Sequence, residues 1–309
     1  SLSAPRRARK SVNRGKMDVL LDVVTRSTSK AEAGAEKNPM LRDILESYKT
    51  FMIDVKLRKG SLVSQMNSVL QPALRTFKIP VFDSMAYDKS VDKALGRALH
   101  LTPEELTTEN ITSILNKYGV AQQYRAVFPE MLSKARLLVN QVGDEEIASG
   151  MEFEKIGGYF QFDMMPIINS RKLREAAIDV IAKVTGSRES ATALIENMKE
   201  TMESQDTEVS SFDYLVSRGT ASSGPKKQSF ERARTLAPKI RRALIDADLV
   251  PPSFYNGMRR RINQSSMAVP IRTRIMPGQK ALRKLLNDAD QSVAAGAESL
   301  LRVGEVLQG

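Results

Sequence analysis

Apolar side chains recur along this chain at spacings of three and four, a period that predicts helices almost throughout. Asn38 followed by Pro39 offers an N-cap and a proline at the tolerated first helical position. Leu41, Ile44, Leu45, Tyr48 and Met52 then share one face, as far as Gly60, where a C-terminal cap belongs. Thr102-Pro103-Glu104-Glu105 has the spacing of a capping box. Ile111, Ile114, Leu115 and Tyr118 form a stripe that stops at Gly119. Asn169 or Ser170 opens a helix through Leu173, Ala177, Val180, Ile181 and Val184, ending near Gly186; Ser187 opens the next, with Leu194, Ile195, Met198 and Met202 on its apolar side. Leu282, Leu285, Leu286, Ala289, Val293 and Leu300 predict a helical C-terminal part, broken near Gly296.

Strand patterns are few. Residues 159–164 alternate after Gly157-Gly158, and Val269-Pro270-Ile271-Arg272-Thr273-Arg274-Ile275 alternates more clearly, its proline suiting an edge strand or extended arm. The expected fold is mostly α, a multi-helix body with at most one small β-hairpin or strand pair. Small residues, Pro225 and the Lys226-Lys227 pair mark 219–228 as a linker. The chain then divides into a basic flexible arm (1–16), a helical body (17–218), the linker and a basic helical C-terminal region (229–309). A less marked break falls at 143–158, and no internal repeat is present.

Composition narrows the function classes. With no cysteine among 309 residues, disulfides and thiolate zinc sites are excluded. No apolar run approaches the roughly 20 residues of a membrane span, and no apolar stretch follows the basic N-terminal residues, so neither a span nor a secretory signal is expected. A cytoplasmic, nuclear or virion setting fits. The net charge of +11 is segregated: residues 1–16 carry six cations and no acid, and residues 218–284 carry sixteen cations against Glu231, Asp246 and Asp248. These stretches account for +6 and +13, so the rest carries −8. A mildly acidic body with two basic segments attracts polyanions where an evenly mixed surface would not.

The basic C-terminal region reads as a Ser229-capped helix with Phe230, Ala233, Ala237, Ile240, Leu244 and Ala247 on one face and Arg234, Lys239, Arg241 and Arg242 beside it, stopped by Pro251-Pro252. Ser253 starts a short segment in which Phe254 and Tyr255 stand near Arg259, Arg260 and Arg261, a set suited to stacking on unpaired bases and forking onto phosphates, although the two aromatics read more readily as core anchors. Arg272 and Arg274 would share one side of a strand.

Catalytic patterns are absent. The lone histidine, His100, ends an apolar stretch and reads as a packed residue, and neither a phosphate loop nor a dinucleotide fingerprint occurs. Asp144, Glu145 and Glu146 with Glu152 and Glu154 are the densest acidic patch, read as a solvated helix start in preference to a magnesium site. The expectation is a non-enzymatic, cofactor-free, oligomerising protein that binds nucleic acid (RNA slightly ahead of DNA) without reading bases, of nucleoprotein or capsid-associated type. The alternative is an assembly protein whose basic segments dock on acidic partners. The residues assigned to the phosphate backbone are Arg6, Arg7, Arg9, Lys10, Lys226, Lys227, Arg234, Arg241, Arg242, Tyr255, Arg259, Arg260, Arg261, Arg272 and Arg274.

Overall fold

Asn38 is the whole connection between the first two helices in a computed structural model that describes residues 16–73, 88–151, 165–203, 238–250 and 252–308. It ends α1 (Lys16–Lys37) and caps α2 (Pro39–Leu70), its side-chain oxygen accepting the Leu41 N–H at 3.2 Å. Then come α3 (Lys89–Ala98), a 3-10 turn at Pro103–Glu105, α4 (Thr108–Lys117), the short α5 (Gln122–Arg125) and α6 (Phe128–Ala148). After α7 (Met165–Asn169), α8 (Arg171–Thr185) is capped by Ser170 and ended by Gly186, whose φ of 78° suits a residue without Cβ, and α9 (Arg188–Glu203) follows. The last part holds α10 (Pro238–Asp246), α11 (Phe254–Pro270), a π-turn at Ile271–Ile275, α12 (Met276–Leu285) and α13 (Gln291–Gln308). No strand occurs among the described residues, and the mostly α reading holds.

Four local expectations need correction. Gly60 does not end α2, which runs on for 32 residues in all. Glycine inside a helix costs about 1 kcal/mol, and Leu62, Met66, Val69 and Leu70, all buried, continue the apolar stripe beyond it. Residues 269–275 are not a strand. Ile271 and Ile275 are also four apart, and with Met267 they extend the buried face of α11. Pro270 lies inside the helix, where it lacks a donor, and the wider π-turn follows it directly. The segment from Ser253 is not short either: it opens the 17-residue α11. Gly296 lies within an unbroken α13, and the interruption falls at 286–290. The strand pattern at 159–164 and the start of the helix at 229–237 lie outside the described residues.

Three apolar cores result. The first joins Leu62, Met66 and Leu70 of α2 to α3, α4, α6 and the first half of α11. The second joins α1 and the first half of α2 to the end of α11, the π-turn, α12 and α13. Thus α2 and α11 traverse both, and α11, α12 and α13 share their cores with helices from the first half of the chain. The third core belongs to α7, α8, α9 and α10. Each fully buried Leu, Ile or Phe contributes about 1.5–3 kcal/mol, and α2 and α11 are the helices that place such residues in both large cores.

Buried polar groups set the register of these long-range contacts. Tyr48, fully buried, donates its hydroxyl to Leu300 O at 2.9 Å and accepts from Gln279 Nε2 at 2.8 Å. Asp290 caps α13 through the Ser292 N–H at 2.8 Å and pairs with Lys37 at 2.9 Å; the Ser292 and Lys37 hydrogen bonds hold its carboxyl well below the usual carboxylate range. Asp92, 3% exposed on α3, accepts the Tyr255 N–H at 2.7 Å and so satisfies a donor in the first turn of α11. The two helices approach closely there, since a Cβ on Gly96 would run into the carbonyl of Pro252. Burial, only partly offset by hydrogen bonds from Ser253 and Tyr255, pushes the Asp92 carboxyl up from 3.8 to about 6.

The folded chain therefore holds a proton on Asp92 at pH values where the unfolded chain has released it. This group's contribution is full below pH 3.8 and is lost as pH rises to about 6, a fall on the order of 3 kcal/mol. Asp92→Asn keeps the acceptor for Tyr255 without the charge. Urea unfolding across that window should show the variant gaining on the wild type as pH rises; parallel curves would refute the assignment.

Candidate functional site

The arginines of the C-terminal region are where this chain concentrates its charged chemistry, and several of those described pair with groups on other elements. On α10, Arg241 is 5% exposed; with Arg261 it is one of two buried arginines among those described in this region, the others being half-buried or exposed. Its neighbour Arg242 forks onto Glu105, both guanidinium nitrogens reaching carboxylate oxygens at 2.6 Å. The Thr102 N–H, at 2.9 Å, and then Arg242 hold the Glu105 carboxyl below its ordinary value. Asp246 pairs with Arg97 of α3, and Asp248 with Lys117 of α4 at 3.0 Å. These ion pairs join the element carrying part of the third core to the elements of the first.

The same holds along α11. Ser253 accepts the Asn256 N–H at 3.1 Å and starts the helix, which turns Tyr255 into the first core at 6% exposure. In this packing the Tyr255 ring is a core residue, with no face open to a base. Arg261, 5% exposed, meets Glu146 of α6, 1% exposed, at 3.0 Å. Both groups sit on buried helix faces, Arg261 with Met258 and Ile262, and Glu146 with Val139, Val142 and Gly143. Arg259 and Arg260 are half-buried.

Because the π-turn replaces the expected strand, Arg272 and Arg274 reach different elements. Arg272 donates to Gly150 O at 2.7 Å, and Arg274 to Asp54 Oδ2 at 2.7 Å. Arg6, Arg7, Arg9, Lys10, Lys226, Lys227 and Arg234 lie outside the described residues.

Sequence reasoning passed over Arg58. From α2 it donates to Ser265 Oγ at 2.8 Å and Ser265 O at 3.3 Å, and it pairs with Glu145. Glu145 also accepts from Gln141 at 2.9 Å. The acidic patch at 144–146 lies in the last turns of α6, not at a helix start: Asp144 is exposed, while Glu145 and Glu146 each receive an arginine from another helix. Glu152 and Glu154 lie outside the described residues, among which no group of three or more His, Asp or Glu converges as metal ligands would. A cleft of about 400 Å³ lies beside this network, lined by Asp54, Arg58, Gln141, Glu145, Pro270 and Thr273 among others. His100 is buried at 6% exposure, as its apolar flank implies. No described helix is long and apolar enough to cross a membrane.

A signal for these pairs did exist in the sequence. Asp92, Glu146 and Arg261 each occupy a position that the helical period assigns to the core, and a charge there needs a partner. No protein-family model, curated protein or solved structure matches the chain.

Breaking a buried ion pair from one side leaves the other charge unpaired. Arg261→Ala should therefore lower unfolding stability by about 3–5 kcal/mol, read from the urea midpoint. Arg259→Ala, at a half-buried position, should cost less than about 1 kcal/mol. Equal, small effects of the two changes would show that the Arg261–Glu146 pair holds nothing together.

Proposed function

We propose that this is an oligomerising, non-enzymatic structural protein that binds single-stranded nucleic acid without reading its sequence, in the manner of a nucleoprotein or capsid-associated protein. The observation carrying this reading is where the net charge remains once the helices have paired their own. Residues 1–16 hold +6, and residues 218–234, with five cations and Glu231, hold +4. Of the net +11, all but +1 thus belongs to two short stretches of a much longer chain. Of the C-terminal arginines that seemed to extend the second stretch, Arg242, Arg261, Arg272 and Arg274 face acids and a carbonyl of other elements. A nearly neutral body with two concentrated cationic segments suits attachment to a phosphate backbone by charge, with counterion release supplying affinity. By holding one strand in common, the basic segments of several subunits would bring those subunits together along it.

Log affinity for a short labelled single strand should fall linearly with log salt, by roughly 0.7 per phosphate neutralised. Replacing Arg6, Arg7, Arg9 and Lys10 by alanine should flatten that slope. Light scattering should show growth of larger species when a long strand is added, and less growth after deletion of residues 1–16. Affinity indifferent to salt in a fluorescence anisotropy titration would sink this reading.

A further inference from the structure

The first turn of α8 carries its charge the wrong way round. Arg171, Lys172 and Arg174 stand there with no acid among them, whereas the positive end of a helix favours carboxylates and repels cations. Arg171 and Arg174 are also neighbours on the helix surface, three positions apart, so each meets a like charge as well. Relief lies within reach and is not used. Glu175 follows Arg171 by four positions and Lys172 by three, yet it accepts from Arg188 of α9 at 3.1 Å, and Asp179 serves the same arginine. Arg171 and Lys172 are exposed and Arg174 is half-buried, and none of the three side chains makes a hydrogen bond or ion pair with a described residue. By contrast, Arg242, Arg261 and Arg274 each reach a carboxylate of another element.

Folded chains set aside a local rule of this kind at functional sites and offset the cost elsewhere. We propose that Arg171, Lys172 and Arg174 form a phosphate-binding patch on the folded body, where phosphodiesters of a single strand take the place of the missing carboxylates. The inference rests on the proposed nucleic-acid binding and adds a foothold for the strand outside the basic segments. The two guanidinium groups fork onto phosphate oxygens, and the lysine adds a compact third charge. The patch belongs to the third core, which α8 shares with α10, and the cationic stretch 218–234 runs into α10 four residues later. Chain connectivity thus ties both cationic groups to one structural unit.

The test titrates labelled oligouridylate with the full chain and with Arg171→Glu, Lys172→Glu and Arg171→Lys. Two further variants serve as controls: Lys56→Glu, at an exposed cation of α2, and the alanine replacement of Arg6, Arg7, Arg9 and Lys10. Thermal unfolding is read in parallel. Because a carboxylate suits this end of a helix, Arg171→Glu and Lys172→Glu should each raise the unfolding midpoint. Each should also weaken binding by about tenfold and lower the salt slope by roughly 0.7. Arg171→Lys should keep the wild-type salt slope, and Lys56→Glu the wild-type affinity. Should one α8 variant fail to fold, the other decides. An equal loss of affinity in Lys56→Glu and Arg171→Glu would reveal an effect of net charge alone and overturn the patch. Midpoints that fall in both α8 variants would show that the cations hold the fold, and would overturn it too. Wild-type affinity in both α8 variants alongside weakened binding in the arm variant would overturn the patch and leave the arm's role intact. A wild-type chain that does not bind the strand would overturn both readings.

Discussion

An arginine and a glutamate that have both lost their water, Arg261 on α11 and Glu146 on α6, constrain this fold more tightly than any apolar contact. Apolar faces tolerate sliding, because one leucine replaces another at little cost. A buried guanidinium does not, since displacing it by one turn leaves two unsatisfied charges in a medium that screens them poorly. With Arg58 bridging Glu145 and Ser265 beside it, α2, α6 and α11 are locked in a single register. The two cores that these helices thread can close only in that register.

The pattern of charge along the chain has a different meaning once the chain is folded. Read in order, a basic N-terminal stretch and a mildly acidic middle precede a basic C-terminal region, and the obvious partner for the basic parts is an external polyanion. In space, the C-terminal region lies against the middle. Glu105, Asp54 and Glu146 receive Arg242, Arg274 and Arg261, while Lys37 reaches Asp290 in the opposite sense. Much of the segregation is thus intramolecular complementarity, and the net charge that survives it lies mainly near the N-terminus and in the stretch before α10.

The helical period made the elements legible, and caps such as Asn38, Ser170 and Ser253 stand where the pattern placed them. What misled were residues with two readings. Gly60 is a plausible stop, yet it sits on an open face of a helix whose apolar stripe continues, and burial outweighs its propensity. Ile271 and Ile275 fit a period of two and a spacing of four equally well, and only the core beneath them chooses. The site residues were less legible for a related reason. An arginine's sequence neighbours do not reveal whether its acid lies in solvent or on a helix more than a hundred positions away, as with Arg261 and Glu146.

The long sequence separation of these pairs also imposes an order in time. Glu146 waits for a partner 115 residues later, Asp92 for one 163 later, Asp54 for one 220 later and Tyr48 for one 252 later. At ribosomal speeds that delay is roughly 6–50 s, during which α2, α3 and α6 exist with their apolar faces open and their buried carboxylates unmatched. Neither large core can close until α11 has emerged, and the second also needs α12 and α13. Apolar surface that the finished fold buries is therefore made well before its partners are, the condition under which association between nascent chains competes with folding.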